Sequence, residues 1–100
     1  MAHDEAAAGR LLAEGLAVVG LSAADLRRMA RSAPEKQVLA WWLRERTTVS
    51  LAWLSERLEM GHYTRVSQAV GKVKREPDRR QKRWQKQLAK VGVAFEHTKD

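Results

Sequence analysis

Apolar positions recur at helical spacing along most of this chain, and the gaps between the stripes carry residues that start and stop helices. Leu11, Leu12, Leu16 and Val19 share one face of an alanine-rich stretch, which predicts a first helix over Asp4–Val19, despite Gly9 and Gly15, with Gly20 ending it. Ser22 with Asp25, a shorter form of the usual capping-box acid, opens a second short helix through Leu26, Met29 and Ala30. Ser32-Ala33-Pro34-Glu35 fits a capping box with proline in the first turn and starts a third helix that runs to about Arg46. Val38, Leu39, Trp42 and Leu43 share its apolar face, whereas Trp41 projects to one side. No stretch alternates as a strand would, and no segment repeats.

Residues 47–75 read as two helices joined by a glycine-bearing turn. Ser50 is a suitable N-cap, and Val49 before it can staple to Leu54. Leu51, Leu54 and Leu58 then form one stripe of a fourth helix, about 51–59, and Gly61 stands where a left-handed residue is wanted. Val66, Ala69, Val70 and Val73 form the stripe of a fifth helix, about 62–75. At about 100° per residue, Thr64, Ser67, Gln68, Gly71 and Arg75 fall opposite that stripe, with Arg65 and Lys72 on its flank. Thr and Gln can bond base edges, Arg can bond guanine through two donors, and glycine admits a close approach of backbone to duplex. An ordinary solvated helix face has the same polarity; the tight turn beside it favours the DNA reading.

At 54–69 the chain resembles the C-terminal DNA-binding domain of the bacterial replication initiator DnaA, a Trp-repressor-like helix-turn-helix with a signature of roughly Asp-His-Thr-Thr-Val-x-x-Ala. Thr64, Val66 and Ala69 match it, while His62 replaces the Asp, Tyr63 the His and Arg65 the second Thr. The likeness therefore implies the fold and the groove-entering helix, and does not extend to the initiator's own DNA box. The chain is closer to the tail domain of REP-associated single-tyrosine transposase-like proteins, through Leu43, Arg44, Thr47, Thr48, Trp53, Leu54, Arg57, Leu58, Met60 and Gly61. That likeness spans roughly residues 15–75. Such transposases also carry a catalytic domain with paired histidines and a nucleophilic tyrosine. Here His3, His62 and His97 are dispersed and the single tyrosine, Tyr63, lies inside the binding motif, so neither catalysis nor a metal site is expected.

Composition narrows the picture. One hundred residues, 44% hydrophobic and 31% charged, suit one soluble domain. No apolar run reaches the roughly 18 residues of a membrane span, no signal-like start is present, and cysteine is absent, so a cytoplasmic, nucleoid-associated protein without cofactor is expected. The charge is concentrated. Residues 72–90 hold nine Lys or Arg against Glu76 and Asp78, a net +7 that equals the whole formal charge. Such a block attracts phosphate regardless of sequence. Glu76-Pro77-Asp78 ends one helix and starts another, from Asp78 to about Val91, whose Trp84, Leu88 and Val91 dock on the body. Gly92 stops it, leaving 92–100 as a frayed tail.

The expectation is an all-α domain over 1–91, of five or six helices with a Trp-repressor/DnaA-like helix-turn-helix, binding double-stranded DNA in a sequence-directed, transposon-related or regulatory role. Thr64, Gln68 and Arg75 are the candidates for base edges, with Ser67 and Gly71 on the same face. Arg65, Lys72, Lys74, Arg79, Arg80 and Arg83 are the candidates for phosphates. Tyr63 either stacks on a sugar or bonds a phosphate, or else covers the turn; Thr48, with Thr47, either meets a phosphate or serves the loop. Two rivals remain open. One is a protein-interaction module or accessory subunit that keeps the fold without reading DNA; the other, disfavoured by the lack of an aromatic single-strand platform, is RNA binding, and a homodimer or a protein partner stays open beside the duplex.

Overall fold

The computed structural model describes residues 2–91, with side chains from Glu5 onward, and within them the chain is entirely helical apart from its connections. Six helices follow in order: α1 Ala2–Val19, α2 Asp25–Arg28, α3 Pro34–Arg46, α4 Leu51–Arg57, α5 Tyr63–Arg75 and α6 Arg79–Leu88. The expected stop at Gly92 and the tail 92–100 lie outside the described residues. No helix among those described is long and apolar enough to cross a membrane.

The third helix is the hub, because α1, α5 and α6 all pack on it while α4 packs on α5. Its Val38, Leu39, Ala40, Trp42 and Leu43 are buried, and the core continues through Leu12 and Leu16 of α1, Leu54 of α4, Val66 and Val73 of α5, and Leu88 of α6. Trp41 and Trp53 are half-buried and pack against this core, so both act mainly as cover. Helices α1 and α3 meet closely at Gly15: a Cβ there would stand 2.8 Å from Leu39 Cδ2 and 2.8 Å from Trp42 Cζ3. The helix thus gives up a residue with better propensity in exchange for a tighter crossing.

Several helix ends follow their local signals. Gly20 takes φ +78°, and the Leu21 and Gly20 amides donate back to Leu16 and Ala17, the two bonds of a Schellman turn. Ser22 and Asp25 exchange the reciprocal bonds of a capping box, Ser22 N–H donating to the Asp25 carboxylate at 2.8 Å and Asp25 N–H to the Ser22 hydroxyl at 3.3 Å. Those bonds, the Ser22 amide first and then the Arg28 guanidinium, hold the Asp25 carboxyl below its usual range. Ser50 caps α4 by accepting from Trp53 N–H at 3.0 Å.

Other ends differ from expectation. The second helix stops at Arg28, and Met29 is extended, its carbonyl accepting from Lys36 Nζ at 3.3 Å. Ser32 does not cap α3. Proline occupies the first helical position, so the cap falls on Ala33, which has no side chain to offer. Asp78 lies just before α6 and caps it, forming a capping box with Gln81, and Pro77 stays outside the helix, which ends at Leu88. At the end of α4 the left-handed residue is first Glu59, φ 57°, with Glu59 and Met60 amides donating to Glu56 and Ser55; Gly61, φ +92°, is a second such residue two positions later. Glu59 is held there by Lys36, whose Nζ donates to the Glu59 carbonyl at 2.8 Å. Lys36 is 1% exposed. Burial pushes its ammonium below the usual lysine range, the Glu59 charge opposes that shift, and the nearby Arg31 adds to it.

Candidate functional site

The turn between α4 and α5 spans five residues, 58–62, and delivers α5 with one face on the core and the other in water. His62 caps α5, its Nδ1 accepting from Thr64 N–H at 3.1 Å, and its ring stacks on Tyr63 at 4.3 Å between centroids. Val66, Ala69 and Val73 are buried beneath, and Tyr63, Thr64, Arg65, Ser67, Gln68, Lys74 and Arg75 are exposed, with Gly71 and Lys72 at the margin. Tyr63 is 53% exposed, the one large apolar side chain so open among the described residues. The helix contains no carboxylate along its whole length.

Thr64, Gln68, Gly71 and Arg75 form one line along the outer face. Gly71 does not leave empty space there. A Cβ would stand 2.8 Å from Arg75 Nη1, so the Arg75 guanidinium folds back across the glycine. An arginine held by no rigid neighbour can swing away from this position, carrying its donors toward whatever approaches the face.

Beyond α5, Gln81 fastens the basic segment to the body. It is fully buried and uses its whole amide: Oε1 accepts from Lys72 Nζ at 2.9 Å and Asp78 N–H at 3.0 Å, and Nε2 donates to the Pro34 carbonyl at 3.1 Å and Gln37 Oε1 at 2.9 Å. Trp84 and Leu88 on the same side of α6 are buried, as the apolar spacing predicts, while Val91 is half-buried and its carbonyl accepts from Arg46 at 2.7 Å. Arg79 and Arg83, with Lys86 and Lys90, fall on the opposite, exposed side of the segment.

The sequence-derived phosphate candidates therefore divide. Arg65, Lys74, Arg79 and Arg83 are exposed and have no polar partner among the described residues. Lys72 is bonded to Gln81 and lies 4.0 Å from the Asp78 carboxylate. Arg80 donates to Glu35 at 3.1 Å and lies 4.8 Å over the Trp84 ring. Thr48 is exposed. Thr47 serves the loop, its hydroxyl donating to the Leu43 carbonyl at 2.8 Å and accepting from Val49 N–H at 3.4 Å.

Two open grooves of opposite character flank this region. One, of about 670 Å³, runs past the start of α5 and is lined by Glu5, Trp53, Glu56, Glu59 and Tyr63. Trp53 is partly covered there by the Arg57 guanidinium, 4.8 Å from its ring. The other, of about 200 Å³, lies along α5 and is lined by Arg31, Ser32, Met60, Arg65, Gln68 and Lys72, with no carboxylate on its walls. Gln81 and Lys36 escape a reading by apolar periodicity. Gln81 has a legible signal, three residues after a capping Asp; Lys36 has none, because its partners are backbone carbonyls from other segments. A comparison of the chain with protein families, characterised proteins and solved structures gives no match.

Proposed function

We propose that this protein binds double-stranded DNA in a sequence-directed way, with α4, the turn and α5 acting as a Trp-repressor-like helix-turn-helix and α5 entering the major groove. The observation that carries the reading is the outer face of α5: hydrogen-bonding Thr64, Ser67 and Gln68 beside exposed Arg65, Lys74 and Arg75, without one carboxylate. The likeness of roughly residues 15–75 to the tail domains of REP-associated transposase-like proteins supports it, and points to a transposon-related or regulatory role. In this arrangement Thr64 and Gln68 reach base edges, and Arg75, released from Gly71, joins them or the backbone. Arg65, Lys74, Arg79 and Arg83 hold phosphates. Arg80 and Lys72 contribute less, since each already has a partner within the molecule.

The test is duplex binding followed by fluorescence anisotropy across a salt series. With about four phosphates neutralised, log affinity falls against log salt with a slope of roughly −3 to −4. A flat dependence would overturn the reading. A second reading, docking of a protein partner, is favoured by the exposed Tyr63 at the mouth of the acidic groove; it would retain partner binding when the α5 face is altered.

A further inference from the structure

We propose that the basic groove beside α5 is a phosphate seat, in which Arg31, a residue outside the α4–turn–α5 unit, grips a backbone phosphate of the bound duplex. The proposal rests on the DNA-binding reading and assigns to it a contact that neither the apolar pattern nor the charge block of the sequence indicates.

Three cationic side chains from separate segments line this groove: Arg31 from the connection before α3, and Arg65 and Lys72 from α5. Ser32 adds a hydroxyl and Gln68 an amide. Neither Arg31 nor Arg65 has an ion-pair or hydrogen-bond partner among the described residues. Arg31 and Arg65 thus have no counter-charge among the described residues, and Lys72 has only the Asp78 carboxylate at 4.0 Å, so the three cations repel one another and the arrangement is relieved by an anion between them. Burial is the main reason that the Lys36 ammonium is disfavoured; Glu59 opposes the shift, and Arg31, near enough to act on Lys36, adds a smaller push in the same direction as burial. Lys72 is oriented by its bond to Gln81, and its remaining donors stay available to a ligand.

The backbone makes room for Arg31. A Cβ on Gly61 would stand 2.9 Å from Arg31 Cδ and 3.2 Å from its Nε, so the arginine stem passes directly over the turn that joins α4 and α5. Its guanidinium is thereby brought beside Gln68, a candidate for base contact, and Ser32, freed from capping α3, lines the same space. A phosphate here would meet planar guanidinium groups from two separate segments of the chain, and arginine can offer a phosphate two parallel donors where lysine acts as a point charge. It would also fix how far α5 slides along the groove, since the seat is built partly from the segment before α3.

Arg31→Gln and Arg31→Glu in the full chain test the seat, because Arg31 is exposed and its replacement leaves the core intact. Binding to two unrelated duplexes is measured across a salt series, with urea midpoints as the control for folding. Arg31→Gln should weaken both duplexes alike, by about three- to tenfold, and reduce the salt slope by about 0.9, with Arg31→Glu weakening them further. Unchanged affinity and slope in both variants would overturn the seat, as would a loss confined to one duplex, which would make Arg31 a base contact. Should the unaltered protein bind no duplex, the DNA reading itself fails, and inorganic phosphate decides the rest. Saturable amide shifts at Ser32, Gly61, Arg65 and Gln68 that vanish in Arg31→Gln would assign the seat to free phosphate; their absence would overturn it.

Discussion

Replacing Gly15 or Gly9 by alanine makes the same chemical change in the same helix, and the packing requires opposite outcomes. In a helix interior, glycine to alanine is worth about 1 kcal/mol in favour of the fold, through propensity and a less free unfolded chain. At Gly9 the nearest atom to the new methyl is Arg57 Nη2 at 3.6 Å, an ordinary contact with the end of a flexible side chain. Gly9→Ala should therefore stabilise by about 0.5–1 kcal/mol. At Gly15 the methyl would meet Leu39 Cδ2 and Trp42 Cζ3, each at 2.8 Å. Carbon atoms settle near 3.5–4.0 Å, so roughly 1 Å must be found between α1 and α3. Leu39 is 0% and Trp42 2% exposed, which leaves neither ring nor branch anywhere to go. Overpacking of this kind costs about 1–3 kcal/mol, exceeds the propensity gain, and leaves Gly15→Ala less stable by about 0.5–2 kcal/mol. Urea unfolding of the two variants reads the difference directly, and thermal midpoints should separate by roughly 5–15 °C. Equal stabilisation by both changes would show that α1 does not cross α3 at Gly15.

Gln68→Ala should remove about 1–3 kcal/mol of base discrimination with the salt slope nearly unchanged, measured against matched and mismatched duplexes; a uniform loss across sequences would move Gln68 to the backbone contacts. Gln81→Leu leaves the Pro34 carbonyl, the Gln37 amide, Lys72 and the Asp78 amide without their shared partner, and should cost about 2–4 kcal/mol in urea unfolding; a near-neutral result would mean that α6 is held by Trp84 and Leu88 alone. Lys36 titrates below 10.5 when folded, so between its folded and unfolded values the unfolded chain binds more protons and stability rises with pH. The stability of the unaltered protein relative to Lys36→Met should therefore increase from neutral pH toward pH 10.5, and a flat difference would refute the assigned shift.

Where a helix boundary is decided within a few residues, the chain is easy to read: Gly20, Ser50 and the Ser22–Asp25 pair behave as their types require. Ser32 shows how one position changes the outcome, because Pro34 at the head of α3 moves the cap onto Ala33. Glu59 illustrates a deeper obstacle. Its left-handed backbone is unfavourable for a residue with a side chain, and the bond that holds it comes from Lys36, twenty-three positions earlier. The candidate interface has the same limit. The outward face of α5 was legible from spacing alone, but the engagement of Arg80 by Glu35, of Lys72 by Gln81, and of the space over Gly71 by Arg75 depends on which side chains tertiary packing brings together.

The amide of Gln81 also bears on the order in which the molecule completes itself. Its partners Pro34 and Gln37 precede it by 47 and 44 residues, so the start of α3 emerges during synthesis long before the group that satisfies it. Until then a growing chain holds α1 to α5 with the Leu88 site uncovered, a state attractive to chaperones and open to self-association. Its first 71 residues also carry a net charge of only +1. A chain that ends with α5 at residue 75 already carries +4, and the segment that closes the core, 76–90, adds six Lys or Arg against Glu76 and Asp78, so the positive field is completed only as folding ends. On the proposed DNA-binding reading, an immature chain is therefore a weaker competitor for the mature protein's sites, a timing that comes from the placement of α6 last among the six helices.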